Sequence, residues 1–310
     1  MATNSSPSRS RHGQGSGACR LRRVVKCSAE GDASAGPRPT RLGTLVQRKH
    51  QEIGQLLREL GDEGVEQRMQ SALQNPIQPR FLAAQALSAP RMMGMPAVIL
   101  ELKRGTMGGG AEQLLQRAME FESSGAEAIA VCTDKDETPT GISDLFQVCR
   151  AVKIPVLRKE LMLHPIQVVE TKEAGAAGVI GTVASVLSKG TPILTKFAAA
   201  IGLDCPVEVV NMEEMSAAEE SSVPLYGINI NVGLSVKIPG FAENVTKGLL
   251  SSAPDGSLTI VGAKTRQDAE MAARSGADAI FLKWDLLEHE TAAGIKTLVS
   301  DLKYAGSGDD

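Results

Sequence analysis

Apolar residues between positions 97 and 284 fall into short runs that alternate with segments of helical periodicity. Eight runs are predicted to be strands: 97–103, 128–134, 155–161, 177–183, 205–211, 226–231, 258–263 and 279–284. They are apolar almost throughout, which is typical of parallel strands buried on both faces. Intervening segments carry apolar residues at helical spacing, as in 111–124, 142–152 and 265–275. The pattern predicts an α/β domain of eight strand–helix units.

A weak internal repeat supports this division. Three predicted helices end on the same small residue–glycine–alanine sequence, with the glycine at Gly125, Gly175 and Gly276. Glycine accepts the left-handed conformation that ends a helix, so each repeat predicts a short turn into the next strand. Eight such units with right-handed crossovers close into a (β/α)8 TIM barrel. An open doubly wound sheet is the alternative, but no Gly-x-Gly-x-x-Gly follows the first strand to support a dinucleotide site.

A helical extension is predicted before the barrel. Residues 42–60 carry an apolar stripe at helical spacing, a shorter segment covers 63–73, and three prolines lie between it and the first strand. We therefore divide the chain into an N-terminal helical extension at 42–96, a barrel at 97–304 and a disordered tail at 305–310. Whether the helix at 42–60 covers a ligand or plugs the barrel is not decided by the sequence.

The first 29 residues differ from the rest in composition. They contain no Asp or Glu, and they carry six serines and six basic residues. This composition is typical of organelle transit peptides, and residues 24–29 resemble the processing region of chloroplast precursors. We predict a plastid transit peptide and flexible linker at 1–41, with the mature protein in the chloroplast stroma. A basic arm that binds nucleic acid is the alternative, but no aromatic residues are interleaved for base stacking.

Charge and composition exclude several classes of partner. Without the six basic residues of the leader, the formal net charge falls from −3 to about −9, which argues against nucleic-acid binding. No apolar run approaches the roughly 18 residues of a membrane span. The five cysteines and four histidines show no metal-ligand spacing, so no metal site is expected. Nothing in the sequence specifies an oligomeric state.

Candidate chemistry lies where the predicted strands end. Glu101 and Lys103 end the first strand, Lys159 lies in the third, Glu208 in the fifth and Asn229 in the sixth. In a (β/α)8 barrel the carboxyl ends of the strands converge on one ligand. These five side chains are therefore expected to share one site.

The motifs around these residues resemble those of the indole-3-glycerol-phosphate synthase family over about residues 42–304. The matching segments are Arg48-Lys-His-Gln-Glu52, Pro79-Arg-Phe81, Ala97-Val-Ile-Leu-Glu-Leu-Lys103, Val131-Cys-Thr-Asp134, Pro155-Val-Leu-Arg-Lys-Glu-Leu-Met162, Gln167-Val-Val-Glu170, Val207-Glu-Val209 and Gly227-Ile-Asn229. The resemblance implies a carboxy-lyase that closes the indole ring of an anthranilate-bearing ribulose phosphate, with no metal or organic cofactor.

By motif match, the resemblance also implies a role for each residue. Lys159 would be the general acid, and Lys103 would pair with the anthranilate carboxylate. Glu208 would be the general base or cation stabiliser, Glu101 would orient the lysines or assist dehydration, and Asn229 would hydrogen-bond the ribulose hydroxyls. Crowding by Lys103 and partial desolvation are expected to lower the pKa of Lys159.

The segments that bind phosphate in the family depart from its pattern. The Ser-Pro-Ser turn after the first strand is replaced by a glycine-rich segment in which Thr106 supplies one hydroxyl. Gly262 remains after the seventh strand, whereas the family's glycine after the eighth strand is replaced by Lys283. Lys264 and Lys283 are candidates for gripping a phosphate by charge.

Alternative functions stay open at this point. Trp284 is a candidate for filling the phosphate cup, which would make the protein a non-catalytic barrel with a scaffold or regulatory role in the chloroplast. Another phosphate-binding barrel of histidine or tryptophan biosynthesis is a third reading, but such barrels lack this combination of Glu-x-Lys and Leu-Arg-Lys.

Overall fold

The computed structural model describes residues 41–105, 110–219, 224–228 and 241–306. Its strands are β1 (Ala97–Leu102), β2 (Ala128–Cys132), β3 (Val156–Lys159), β4 (Gly178–Ile180), β5 (Thr182–Val183), β6 (Val207–Val209), β7 (Leu225–Ile228), β8 (Leu258–Ala263) and β9 (Ala279–Leu282). Its helices are α1 (Arg41–Gln74), α2 (Leu82–Arg91), α3 (Ala111–Ser123), α4 (Gly141–Ala151), α5 (Pro165–Glu173), α6 (Ala184–Leu187), α7 (Thr191–Ala200), α8 (Met212–Glu219), α9 (Phe241–Ser251), α10 (Arg266–Arg274), α11 (Trp284–Leu287) and α12 (Ala292–Gly306).

The strands form one parallel sheet that closes into a barrel. Their order is β4-β3-β2-β1-β9-β8-β7-β6-β5, and Gly181 alone separates β4 from β5 along the chain. These two segments occupy the place of the predicted strand 177–183, so the eight-unit barrel is confirmed and the open sheet is excluded. Gly181 has φ of 119°, and a Cβ there would lie 2.0 Å from the carbonyl oxygen of Glu160. A side chain at this position would clash with the backbone that follows β3, so glycine is needed here.

The turns agree with the repeat in the sequence. Gly125, Gly175 and Gly276 have φ of 89°, 88° and 85°, the left-handed conformation expected after a helix. The helix α12 continues to Gly306, two residues beyond the predicted end of the barrel at 304. Residues 307–310 and 1–40 lie outside the described residues.

The helix α2 closes the amino-terminal end of the barrel. Its Ala83 and Leu87 are fully buried and share a core cluster with inward-facing strand residues, among them Ile99, Leu225 and Leu258. The Asp204 carboxylate accepts hydrogen bonds from the backbone N–H groups of Ala83 at 2.9 Å and Ala84 at 3.2 Å. This part of the extension therefore plugs the barrel at the end opposite to the predicted site.

The helix α1 packs on the outside of the barrel. Its buried Ile53, Val65 and Met69 belong to a second core cluster that includes residues of α5 and α7. The backbone bends at Gly61 (φ 67°, ψ 164°), which separates the two helical segments predicted at 42–60 and 63–73. The apolar stripe thus predicted the packed face of α1 correctly.

Buried charges join α1 to the end of β3. The Lys49 ammonium pairs with the Glu160 carboxylate, which also accepts hydrogen bonds from Thr133 Oγ1 at 2.6 Å and Arg158 Nε at 2.9 Å. Burial lowers the pKa of Lys49, but the carboxylates of Glu160, Glu52 and Asp134 outweigh burial and raise it above its ordinary value. Lys49 is therefore a buried cation that depends on its partners.

Replacement of Lys49 is expected to destabilise the protein strongly. In Lys49→Met the Glu160 carboxylate loses one of its two cations in a buried site, and the free energy of unfolding should fall by about 3–5 kcal/mol. Denaturant unfolding measures the difference. Arg266→Met is the control, because Arg266 is an exposed residue that pairs with Glu270 at 2.9 Å and Asp301 at 2.5 Å, and loss of these exposed pairs should cost about 1 kcal/mol or less. Equal losses in the two variants would contradict the buried pairing.

Candidate active site

The carboxyl-terminal mouth of the barrel brings Glu101 and Lys159 into contact. Lys159 Nζ lies 3.0 Å from Glu101 Oε1, and the second carboxylate oxygen of Glu101 accepts the backbone N–H of Trp284 at 3.0 Å. Glu101 is buried at the end of β1, whereas Lys159 at the end of β3 is partly exposed. The carboxylate is therefore held by an ammonium group on one side and a backbone donor on the other.

Lys103 lies at the same mouth, where it pairs with another acidic residue, Glu137. Its Nζ lies 3.2 Å from Glu137 Oε2 in the loop after β2, and Cys132 Sγ lies 3.7 Å from the same oxygen. Burial raises the pKa of Glu137, but the ammonium groups of Lys159 and Lys103 outweigh burial and lower it below its ordinary value. Glu137 is therefore an anion shared by two of the candidate catalytic lysines.

The expected fall in the pKa of Lys159 is wrong. Burial does lower it, but the negative charge of Glu101 and the neighbouring Cys132 and Glu137 raise the pKa of Lys159 well above its ordinary value. The sequence places Lys103 and Lys159 together, but it does not show that carboxylates lie between them. Lys159 is consequently a firmly protonated ammonium group at neutral pH.

Glu208 lines a small cavity, an open cleft at the carboxyl-terminal ends of β6 to β9. About 350 Å³ of space lies between its walls, a volume that includes open solvent in front of it. Its lining residues are Ile180, Pro206, Glu208, Gly227, Ile228, Ile260, Gly262, Phe281 and Lys283. Glu208 pairs in register with Gly227 of the neighbouring strand β7, and a Cβ on Gly227 would lie 2.9 Å from Glu208 Cγ. Because glycine has no side chain, the Glu208 side chain can lie directly against Gly227.

Lys283 lies in this cavity, one residue beyond β9. Its Cε is 3.6 Å from the position of a Cβ on Gly262, and its Nζ is 4.6 Å from the centroid of the Phe281 ring. Burial lowers the pKa of Lys283; Glu208 and Glu101 raise it, and Lys159 and Lys264 lower it, with a net fall. The structure thus brings Lys283 and Gly262 together with Glu208, as a common site requires.

Trp284 does not occupy the space beside Gly262. Its side chain is buried in the core cluster between the barrel and its outer helices, with Leu102, Leu114 and Leu287. Lys283 instead lies beside Gly262. Trp284 is the first residue of α11, and its Cζ2 atom lies 3.8 Å from the position of a Cβ on Gly105.

The remaining candidates are less informative. Lys264 follows β8 and is exposed at the rim. Thr106 and Asn229 lie outside the described residues. Glu137 was missed by sequence reasoning, because nothing distinguishes it from Asp136 in the same loop, although its position after β2 places it at the mouth.

No group of three or more His, Cys, Asp or Glu side chains in the described ranges is placed to hold a metal ion. Within the same part of the chain, no helix has the length and apolar character that a membrane crossing needs.

A closed parallel barrel with ammonium and carboxylate groups at the carboxyl ends of its strands defines a class: (β/α)8 barrels with a mouth equipped for proton transfer. The sequence profile of the indole-3-glycerol phosphate synthase family matches residues 42–298. The chain belongs to this family.

Bacterial relatives agree with the family profile. The chain is 33% identical over 192 residues to an indole-3-glycerol phosphate synthase of Syntrophobacter fumaroxidans, covering 61% of this chain and 70% of the relative. It is 30% identical over 214 residues to the enzyme of Exiguobacterium sibiricum, covering 67% and 82%. A solved 4-hydroxy-2-oxoglutarate aldolase, 15% identical, shares the fold with a TM-score of 0.51 over 70% of this chain and 97% of that chain.

Substitution of Gly227 should displace Glu208. In Gly227→Ala the new Cβ would meet Glu208 Cγ at 2.9 Å, so the Glu208 side chain must rotate and stability should fall by about 1–3 kcal/mol. A crystal structure and denaturant unfolding measure both effects. Gly248→Ala on α9 is the control, since a Cβ there meets nothing within 4 Å and should stabilise the helix by up to about 1 kcal/mol. An unmoved Glu208 in Gly227→Ala would refute the steric argument.

Proposed function

We propose that the protein is a carboxy-lyase of the indole-3-glycerol phosphate synthase type, which closes the indole ring of an anthranilate-bearing ribulose phosphate with loss of CO2 and water. The observation that supports this function best is the contact of Lys159 with Glu101 at 3.0 Å, with Lys103 and Glu208 at the same barrel mouth. Family membership, tryptophan biosynthesis and a small phosphorylated substrate are consistent with this arrangement.

Each charged group has a task in this reaction. The Lys159 ammonium donates a proton to the ribulose carbonyl oxygen as the aromatic carbon attacks. Its high pKa makes it a weak acid in the free protein, so displacement of its contact with Glu101 by substrate would bring the pKa down. Lys103, half-buried beside Glu137, faces the anthranilate carboxylate until CO2 leaves. Glu208 accepts the proton released from the ring.

A non-catalytic barrel is the second candidate, and a specific observation favours it. Lys283 occupies the cavity beside Gly262, and Ile260 lines the same cavity with an apolar side chain. In this reading the mouth has lost its affinity for a phosphorylated substrate, and the family fold serves as a scaffold or regulatory protein.

Turnover of the anthranilate ribulose phosphate separates the two candidates. Protein that begins at residue 42 should produce an increase in indole absorbance, and Lys159→Ala should lower kcat by about 10²–10⁴-fold, the usual contribution of a positioned general acid. Lys247→Ala is the control, because Lys247 pairs with Glu243 on the surface of α9. Absence of turnover, with no thermal shift from substrate or phosphate, would support the non-catalytic barrel.

We also propose that residues 1–41 direct import into the chloroplast stroma. The support is the acid-free, Arg- and Ser-rich composition of the first 29 residues. A fluorescent reporter fused after residue 41 should accumulate inside isolated chloroplasts and become shorter. A matched fusion in which the six basic residues are replaced by glutamine should remain outside. Equal behaviour of the two fusions, or binding of the intact leader to nucleic acid, would count against import.

A further inference from the structure

The lysines at the barrel mouth differ in their pairing. Lys159 contacts Glu101 at 3.0 Å and Lys103 contacts Glu137 at 3.2 Å. Among the described residues, no carboxylate lies within 4.0 Å of the nitrogen of Lys283 or of Lys264. Lys283 and Lys264, which follow adjacent strands, therefore differ from Lys159 and Lys103, which are ion-paired.

The surroundings of Lys283 are mostly apolar. Its nitrogen faces the Phe281 ring, and Ile180, Ile228 and Ile260 line the same cavity. Lys159 and Lys264 bring positive charge to it, while Glu101 and Glu208 bring negative charge from the two sides of the barrel. An amine that is desolvated and close to other ammonium groups loses its proton more readily than an exposed lysine, and its pKa is accordingly lowered.

We propose that Lys283 is a nucleophile that forms a Schiff base with short ketones or aldehydes bearing an anionic group. This activity goes beyond the proposed ring closure, in which Lys283 has no covalent part. The site has the components that imine formation needs: an amine without a close described carboxylate, a largely apolar wall, and the acid–base groups Glu208 and Lys159 at the same mouth.

The condensation is balanced without any further reactant. The lone pair of Lys283 Nζ attacks the carbonyl carbon, and the electron pair of the C=O π bond moves to oxygen, which takes a proton from the Lys159 ammonium group. The attacking nitrogen loses a proton to Glu208, giving a neutral carbinolamine. Glu208 returns this proton to the carbinolamine hydroxyl, water leaves, and the nitrogen lone pair forms the carbon–nitrogen double bond of a protonated imine; Lys159 regains its proton from solvent. No oxidation or reduction takes place in these steps.

The charges around the cavity indicate the class of carbonyl compound. Lys264 is exposed, and its positive charge acts on Lys283 together with that of Lys159. A short carbonyl compound that carries a carboxylate or phosphate would be attracted to these ammonium groups, and so toward Lys283. Keto acids and keto phosphates share this chemistry, and an uncharged ketone lacks the anchoring charge.

Borohydride trapping tests the assignment on the full chain. The protein is incubated with dihydroxyacetone phosphate, pyruvate or uncharged dihydroxyacetone, reduced with sodium borohydride, and mapped by peptide mass spectrometry. We expect one stable secondary amine at Lys283, at least about ten times more abundant than at any other lysine, with one or both anionic probes. A preferred probe then identifies phosphate or carboxylate as the recognised group.

Variants provide a second measurement. Lys283→Met should remove the adduct, whereas Lys247→Met, which replaces a surface lysine on α9, should retain it. If Lys283→Met does not fold, the peptide map of the unmodified protein decides alone. Labelling that is absent, centred on Lys159 or spread evenly over the lysines would overturn the proposal, and equal labelling by dihydroxyacetone would overturn its anionic class. Trapping requires no turnover of the anthranilate substrate, so failure of either proposal is distinguishable from failure of the other.

Discussion

The end of β3 is fixed by the buried carboxylate of Glu160, on which the position of the candidate acid depends. Glu160 receives Lys49 from α1 and Arg158 from its own strand. Since successive residues of a strand face opposite sides, Arg158 and Glu160 point toward the outer helices while Lys159 points into the mouth. Charges buried at this depth are stable only when paired. The extension thereby determines the geometry of a site to which it contributes no proposed catalytic group.

Two lysines at the barrel mouth, Lys159 and Lys283, have opposite electrostatic environments. The carboxylates of Glu101 and Glu137 raise the pKa of Lys159, whereas burial lowers that of Lys283. Pairs of titratable groups whose surroundings separate their pKa values are typical of acid–base sites. One ammonium group therefore suits charge stabilisation and proton donation, and the other amine suits nucleophilic attack.

The sequence predicted the barrel well because its signals are local. Apolar runs, helical stripes and the glycines at 125, 175 and 276 each act over a few residues, and the structure agrees with them. The pKa of Lys159 and the place of Trp284 were not predictable, since each depends on residues distant in sequence: Glu101 lies 3.0 Å from Lys159, and Trp284 belongs to the same core cluster as Leu102 and Leu114. Glu137 was missed because nothing in its own loop distinguishes it from Asp136. The predictions for Thr106 and Asn229 fall outside the described residues.

The plug formed by α2 has a consequence for the boundary of the folding unit. Leu87 covers the amino-terminal end of the barrel. Asp204, which is distant in sequence, accepts a hydrogen bond from the first turn of α2. Burial raises the pKa of Asp204 to about 6. If the chain were shortened to the strand–helix repeats, the apolar residues at the amino-terminal end of the barrel would be exposed to water. The Asp204 carboxylate would lose the backbone donors of α2. The smallest part of the chain that can fold by itself therefore starts before β1. It includes α2, which is a structural part of the barrel.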